Sequence, residues 1–295
     1  SLEPRVSFAA HPTEKFTIKA AYSKMQQYLH LLSNSTIGLP TDLWVPVTEN
    51  IKPLNSHQTA IGFVFGLPND LLLSIEGYYK TMDNVIEYKE GASMFSSSNW
   101  ESKVEMGKGR AKGIELMLKK EIGKTTGWIA YTLSKAERKF DEINKGEWYP
   151  SNYDRPHDIS IVINHKFSEK VDLGATWVFG TGYPVTMQTH YILLDPSLQS
   201  NNIDYHYVDN RIDYAASRNN YRMENYHRLD LGVNFHRQRE GSKIKRLLSI
   251  SVFNVYNRHN PFFYNIETDY WDGTRKLMKT SIFPTIPSIS YSIKF

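Results

Sequence analysis

The chain of 295 residues is 40% hydrophobic and 22% charged, with a formal charge of +4 and a mean hydropathy of -0.48. No run of about 18 apolar residues exists, which excludes a transmembrane helix. The lack of cysteine excludes a disulfide framework and thiolate metal sites, and the positive charge is too dispersed for a nucleic-acid footprint. A membrane barrel stays open, because its strands need an apolar residue only at every second position.

Taken in order, the chain begins S-L-E-P-R-V-S-F, with no charged segment leading into an apolar one. It therefore reads as lacking a secretory signal, which an exported protein would carry upstream of Ser1. Val6, Phe8 and Ala10 then oppose Arg5, Ser7 and Ala9, and after H-P-T-E the alternation resumes with Phe16, Ile18, Ala20 and Tyr22. Side chains alternate faces along a strand, so this is a hairpin. A polar and aromatic loop over about 23–56 leads to Ile61, Phe63 and Phe65, and L-P-N-D turns the chain into Leu71, Leu73, Ile75 and Tyr79. A loop over about 83–107 precedes Ile114, Leu116 and Leu118, whose opposite face carries Glu115, Met117 and Lys119.

The same grammar continues to the end. E-I-G-K-T-T-G turns the chain into 128–134, and a loop over about 135–155 carries W-Y-P-S-N-Y-D-R-P. Ile159, Ile161, Ile163 and Phe167 follow, then a turn at S-E-K and Leu173, Ala175, Trp177 and Phe179. The tyrosine-rich loop over about 181–225 precedes Leu229, Leu231, Val233 and Phe235, which oppose Arg228, Asp230, Asn234 and His236. R-Q-R-E-G-S-K turns into Leu248, Ile250 and Val252, and a last loop through P-F-F-Y and D-Y-W-D-G reaches the terminal P-S-I-S-Y-S-I-K-F. There Ile289, Tyr291, Ile293 and Phe295 share one face, with Ser288, Ser290, Ser292 and Lys294 on the other.

This predicts an all-β protein of about eleven strands, joined alternately by turns of about three to seven residues and loops of about 20 to 45. Greek-key sandwiches mix loop lengths irregularly. A membrane-crossing antiparallel meander gives this alternation, with short turns in the periplasm and long loops outside the cell. Single-chain barrels have even strand numbers, so about eleven strands imply part of a larger barrel whose edges would otherwise stay unpaired in hydrocarbon.

The chain resembles the C-terminal half of the barrel of a TonB-dependent outer-membrane receptor of the Bacteroidota type. The resemblance is carried by L-P-T-D-L-W-V-P (39–46), E-G-Y-Y-K-T-M-D-N-V-I (76–86), G-K-G-R-A-K-G-I-E-L (107–116), Y-D-R-P-H-D-I (153–159), W-V-F-G-T-G-Y-P-V-T (177–186), F-N-V-Y-N-R-H-N-P-F (253–262) and the terminal F-P-T-I-P-S-I-S-Y-S-I-K-F, in that order. It implies that residues 1–295 are the C-terminal portion of a 22-stranded barrel, with plug, TonB box and N-terminal strands lying outside the chain. It also implies active uptake of a scarce ligand: a metal chelate, vitamin, glycan or peptide. The implied partners are outer-membrane lipid, the TonB complex reached through the N-terminal part, the barrel-assembly machinery and a surface lipoprotein. Ile289, Tyr291, Ile293 and Phe295 would serve as the assembly signal.

No catalytic set, cofactor site or metal site is expected. His157 between Asp154 and Asp158, and His227 near Asp230, have suitable residue types but no repeated i, i+2 ligand pair. G-K-G-R-A-K-G runs into a strand where a phosphate-cradling loop needs a helix N-terminus. Trp148, Tyr149, Tyr153, Tyr191, Tyr205, Tyr207 and Trp271 are the ligand-contact candidates, read as a stacking rim against the alternative of interface anchors and loop packing. Glu115, Lys119, Arg228 and Asp230 are expected to face plug or lumen water. A self-contained barrel enzyme of the protease or phospholipase class and a passive porin are the alternatives.

Overall fold

The structure is a computed structural model that describes residues 2–32, 43–90, 92, 100–193, 211–238, 244–269 and 274–295. Eleven strands form one antiparallel meander: β1 (Arg5–Thr13), β2 (Phe16–Gln27), β5 (Leu54–Leu67), β6 (Leu71–Tyr88), β7 (Val104–Lys120), β8 (Thr125–Lys139), β10 (His157–Ser168), β11 (Val171–Gly180), β16 (Tyr226–Gln238), β17 (Lys245–Phe253) and β20 (Ile286–Lys294). They pair in that order, and β9 (Tyr149–Pro150) adds to the tip of β8. The sheet does not close, since β1 and β20 are its two edges.

Register carries the alternation across the sheet. Phe63, Ile75, Leu116, Tyr131, Ile159, Phe179 and His227 lie opposite one another from strand to strand on the apolar face. The row Glu76, Glu115, Thr132 and Asp158 lies on the polar face. Gly113 belongs to that polar face, and a Cβ there would sit 2.8 Å from the Tyr78 phenol, so the glycine lets the ring lie against the backbone of β7.

The packing is inverted relative to a soluble domain. Ile61, Ile114, Ile129, Ile163, Phe235 and Ile250 are all exposed. The buried hydrophobics, among them Leu32, Val85, Phe140, Ile143 and Tyr149, sit in the long connections and the strand tips that meet them. A continuous apolar face of this size marks a contact with membrane or partner.

Several expected long loops are partly strand. β6 has 18 residues and β7 has 17, against the 9–11 that a tilted strand needs to cross a bilayer. Apolar alternation is required only within the lipid belt, whereas the hydrogen-bond ladder continues beyond it, so the sequence pattern underestimates strand length. The connections also contain hairpins of their own: β3 (Leu29–Leu32) with β4 (Leu43–Pro46), β12 (Pro184–Val185) with β15 (Tyr221–Arg222), β13 (His190–Leu193) with β14 (Arg211–Tyr214), and β18 (Phe263–Thr268) with β19 (Arg275–Thr280).

Candidate functional site

The long-loop ends of β6, β7 and β8 rise above the apolar belt and give two connections a wall to pack on. Val85, Phe140, Ile143 and Tyr149 form a buried cluster with Leu54 and Met82 against it. Met82, Gly109, Arg138 and Tyr149 make one row of the register, on the polar face shared with Tyr78. Tyr149 of the connection 140–156 therefore lies over the polar face.

Glu87, 4% exposed, lies at the centre of this packing. Its Oε2 accepts from Arg138 Nη1 at 3.2 Å and the Tyr149 hydroxyl at 2.9 Å. Its Oε1 accepts from Arg218 Nη2 at 2.9 Å and Nε at 3.2 Å. A buried carboxylate stripped of such partners costs several kcal/mol, roughly 3–5 when one partner of a buried pair is removed. Burial, and next the Glu87 carboxylate, push the Tyr149 phenol far above its ordinary pKa, so it remains a donor.

A second tie runs parallel to the first. Asp154 accepts from the Ala136 amide at 2.7 Å and Arg222 Nη2 at 2.6 Å, while Arg222 Nη1 reaches the Asp154 and Gly182 carbonyls. Asn219 donates to the Pro150 carbonyl and the Asn152 side chain, both at 2.7 Å, and Arg218 N donates to Asn144 Oδ1 at 2.8 Å. Residues 218–222 are thus strapped across 144–154. Asp154 and Arg222 also line a cavity of about 790 Å³ with Tyr78, Gly113 and Ser134. The ion-paired carboxylates offer no free general base, and among the described residues no three His, Asp or Glu side chains converge on a metal-sized site. The arrangement holds the loops in place beside this cavity.

Of the rim candidates, Tyr149 is corrected: at 1% exposure it stacks on Phe140 and anchors Glu87 inside the loop scaffold. The Trp148 ring lies under the Arg110 guanidinium, 4.1 Å from its centroid, beside the Arg110–Glu137–Lys135 ion cluster. Tyr153 stays 51% exposed and shares a crevice with Glu87, Arg138 and Asn152. Tyr191 pairs with Asp213 in the β13–β14 hairpin, its side chain outside the described residues. Tyr205, Tyr207 and Trp271 lie outside the described residues altogether.

Glu115 and Lys119 share the polar face of β7, and Lys119 pairs with Glu121. Arg228 bonds Asp230 at 2.9 Å and stacks 4.0 Å over the Phe253 ring, and Asp230 also accepts from the Asn254 amide. The histidine constellations come apart: His157 is bonded to the Tyr131 hydroxyl and His227 to that of Tyr256, while Asp158 pairs with Arg155. G-K-G-R-A-K-G lies within β7. Ile289, Tyr291 and Ile293 pair on one side only, with Ile250, Leu248 and Arg246.

Sequence reasoning missed Glu87, Arg138, Asn219, Arg218 and Arg222, and treated Asp154 only as a neighbour of His157. Glu87 and Arg218 are 131 positions apart, and no local pattern announces such a pair.

Residues 2–257 match the family described as TonB dependent receptor-like, beta-barrel. Comparison with curated protein sequences finds no match. Among solved structures, the ferric-catecholate import receptor Fiu from K12 E. coli is similar over 97% of this chain and 34% of its own, at 15% identity and a TM-score of 0.55. The ferripyoverdine receptor of the Pseudomonas aeruginosa outer membrane, bound to ferripyoverdine, gives 98%, 32%, 12% identity and 0.58. The FrpB iron transporter from Neisseria meningitidis gives 99%, 38%, 12% identity and 0.55. At these identities the likeness establishes the fold, and the chain spans about a third of the length of each. With the family match over most of its length and an exposed apolar face around a polar one, the chain belongs to the TonB-dependent receptor-like β-barrel family of the outer membrane.

Proposed function

We propose that this chain is the C-terminal portion of the barrel of a receptor that takes up a scarce ligand across the outer membrane, driven by the TonB complex. Membership of a family of receptors and transporters sets aside the self-contained barrel enzyme. The observation that carries the reading is the open eleven-strand meander, whose exposed apolar face and two unpaired edges call for lipid outside and further strands alongside. A 22-stranded barrel with a plug would supply those strands, and the polar face that carries Glu115, Lys119, Arg228 and Asp230 would face the plug or lumen water.

In this reading the strapped loops form the outer wall of the ligand vestibule, with Tyr153 exposed on it. Three structural neighbours carry iron-related names, which favours a ferric chelate over a vitamin, glycan or peptide. A surface lipoprotein would dock on the loops, and the assembly machinery would read Ile289, Tyr291, Ile293 and Phe295.

The test is uptake of radioactive iron as a ferric catecholate or ferric hydroxamate by cells with and without the complete receptor. Receptor-dependent uptake that stops when the inner-membrane proton gradient is collapsed supports the proposal. Uptake that survives the collapse identifies a passive porin.

A further inference from the structure

We propose that the short-turn ends of β16 and β17 bind the phosphodiester headgroup of an anionic phospholipid through Arg237 and Arg246, on the lipid-facing side of the barrel. The two arginines are direct cross-strand partners, and Arg246 is in turn opposite Ile293 of β20. By alternation they share the face of Phe235, Leu248 and Tyr291, the next row toward the membrane. That row is the end of the apolar face, with Phe235 42% and Tyr291 58% exposed. Two guanidinium groups therefore stand side by side where the belt ends.

Like charges directly opposite one another destabilise a strand pair unless an anion lies between them. Neither arginine forms an ion pair with a described residue. Asp172, the nearby strand carboxylate, points to the other face and is held by Asn234 and His236. Glu169 lies in the turn before β11, and residues 239–243, R-E-G-S-K, hold one acid against two bases. On the same outward side Arg110 and Lys135 are compensated by Glu137. Of the other opposed cation pairs, Lys108–Lys139 and Lys112–Lys135 lie toward the long-loop ends of β7 and β8, with Glu137 beside Lys135, and Lys245–Lys294 is on the polar face, where water solvates it.

A planar guanidinium fork matches phosphate oxygens in a bidentate way, and basic side chains at a bilayer surface attract anionic lipids. The adjoining apolar row decides for a lipid over a free anion, because acyl chains can lie on Phe235, Leu248 and Tyr291 while the phosphodiester meets the arginines. The proposal rests on the apolar face being the lipid face.

The experiment uses the complete receptor in phosphatidylethanolamine nanodiscs carrying trace spin-labelled phosphatidylglycerol or, in parallel, spin-labelled phosphatidylcholine. The motionally restricted fraction should favour phosphatidylglycerol by about fivefold or more, the effect of one basic residue at a membrane surface. R237Q/R246Q should remove that preference and K245Q/K294Q, on the other face, should keep it. If R237Q/R246Q does not assemble, R246Q carries the same expectation at reduced size. Equal restriction of both lipids in the native receptor overturns the proposal, as does a preference that survives R237Q/R246Q or is lost equally in K245Q/K294Q. Full displacement by millimolar inorganic phosphate would show a free-anion site instead. Failure of the native receptor to enter nanodiscs would strike the lipid-face reading itself.

Discussion

Replacing Glu87 by Gln removes one charge from the centre of the loop network and keeps its shape, since an amide oxygen still accepts from Tyr149. Hydrogen bonds to charged groups contribute about 1.5–3 kcal/mol and neutral ones about 0.5–1.5. With the amide oxygen kept toward Tyr149 and Arg138, the bond from Arg138 would drop from the first class to the second, while the amide NH2 would face Arg218 and the bonds from Arg218 would be lost. Both arginine side chains are about a quarter exposed, at 27% and 25%, so solvent screening puts the loss near the low end, roughly 0.5 kcal/mol for the weakened Arg138 bond and roughly 1.5 kcal/mol for the lost Arg218 bonds, about 2 kcal/mol together. That corresponds to a rise of about 30-fold in the local opening equilibrium. Amide hydrogen exchange of the complete receptor should show it over 149–155 and 214–222. The β10–β11 ladder should be unchanged, because the opening is local. Glu142→Gln is the control: its carboxylate is 71% exposed and lies 3.8 Å from Lys89. Exchange unchanged by Glu87→Gln, or accelerated uniformly across the sheet, would refute the assignment of Glu87 as the hub that holds these loops.

Phe295, 88% exposed beyond β20, should matter to assembly more than to stability. Loss of one aromatic burial is worth about 1.5–3 kcal/mol, too little to unfold a large barrel, so Phe295→Ser should lower outer-membrane levels of the receptor far more than Lys294→Ser; equal levels on immunoblots would contradict a recognition role. The Glu224 carboxylate is held below its ordinary pKa, first by the hydrogen bond from Lys279 and against the opposing effect of partial burial. A depressed folded-state pKa contributes stability above the unfolded pKa that is lost as pH falls through the folded one. The tie between Glu224 and β19 should therefore persist from neutral pH through the usual carboxylate range and loosen only below it. Hydrogen exchange around 222–226, corrected for intrinsic rates, should show that acid transition in the native receptor and none in Glu224→Gln.

Local pattern alone was enough to place the eleven strands, their apolar faces and the short turns, because a two-residue period is written into neighbouring positions and lipid enforces it. Leu116 against Glu115, or Tyr291 against Ser290, can be assigned without any coordinates. The same logic put Glu115, Lys119, Arg228 and Asp230 on the polar face. It failed where lipid no longer disciplines the chain. Strands continued as β6 and β7 above the belt, and hairpins formed within connections that read as plain loops. Tyr149 looked like a rim aromatic because its composition and position suit one; only the packing of Phe140, Ile143 and Val85 buries it. The pairs Glu87–Arg218 and Asp154–Arg222 arise from one connection folding across another, with 131 and 68 positions between partners. Contacts of that kind depend on where whole loops come to rest, which tertiary packing decides and local periodicity does not encode.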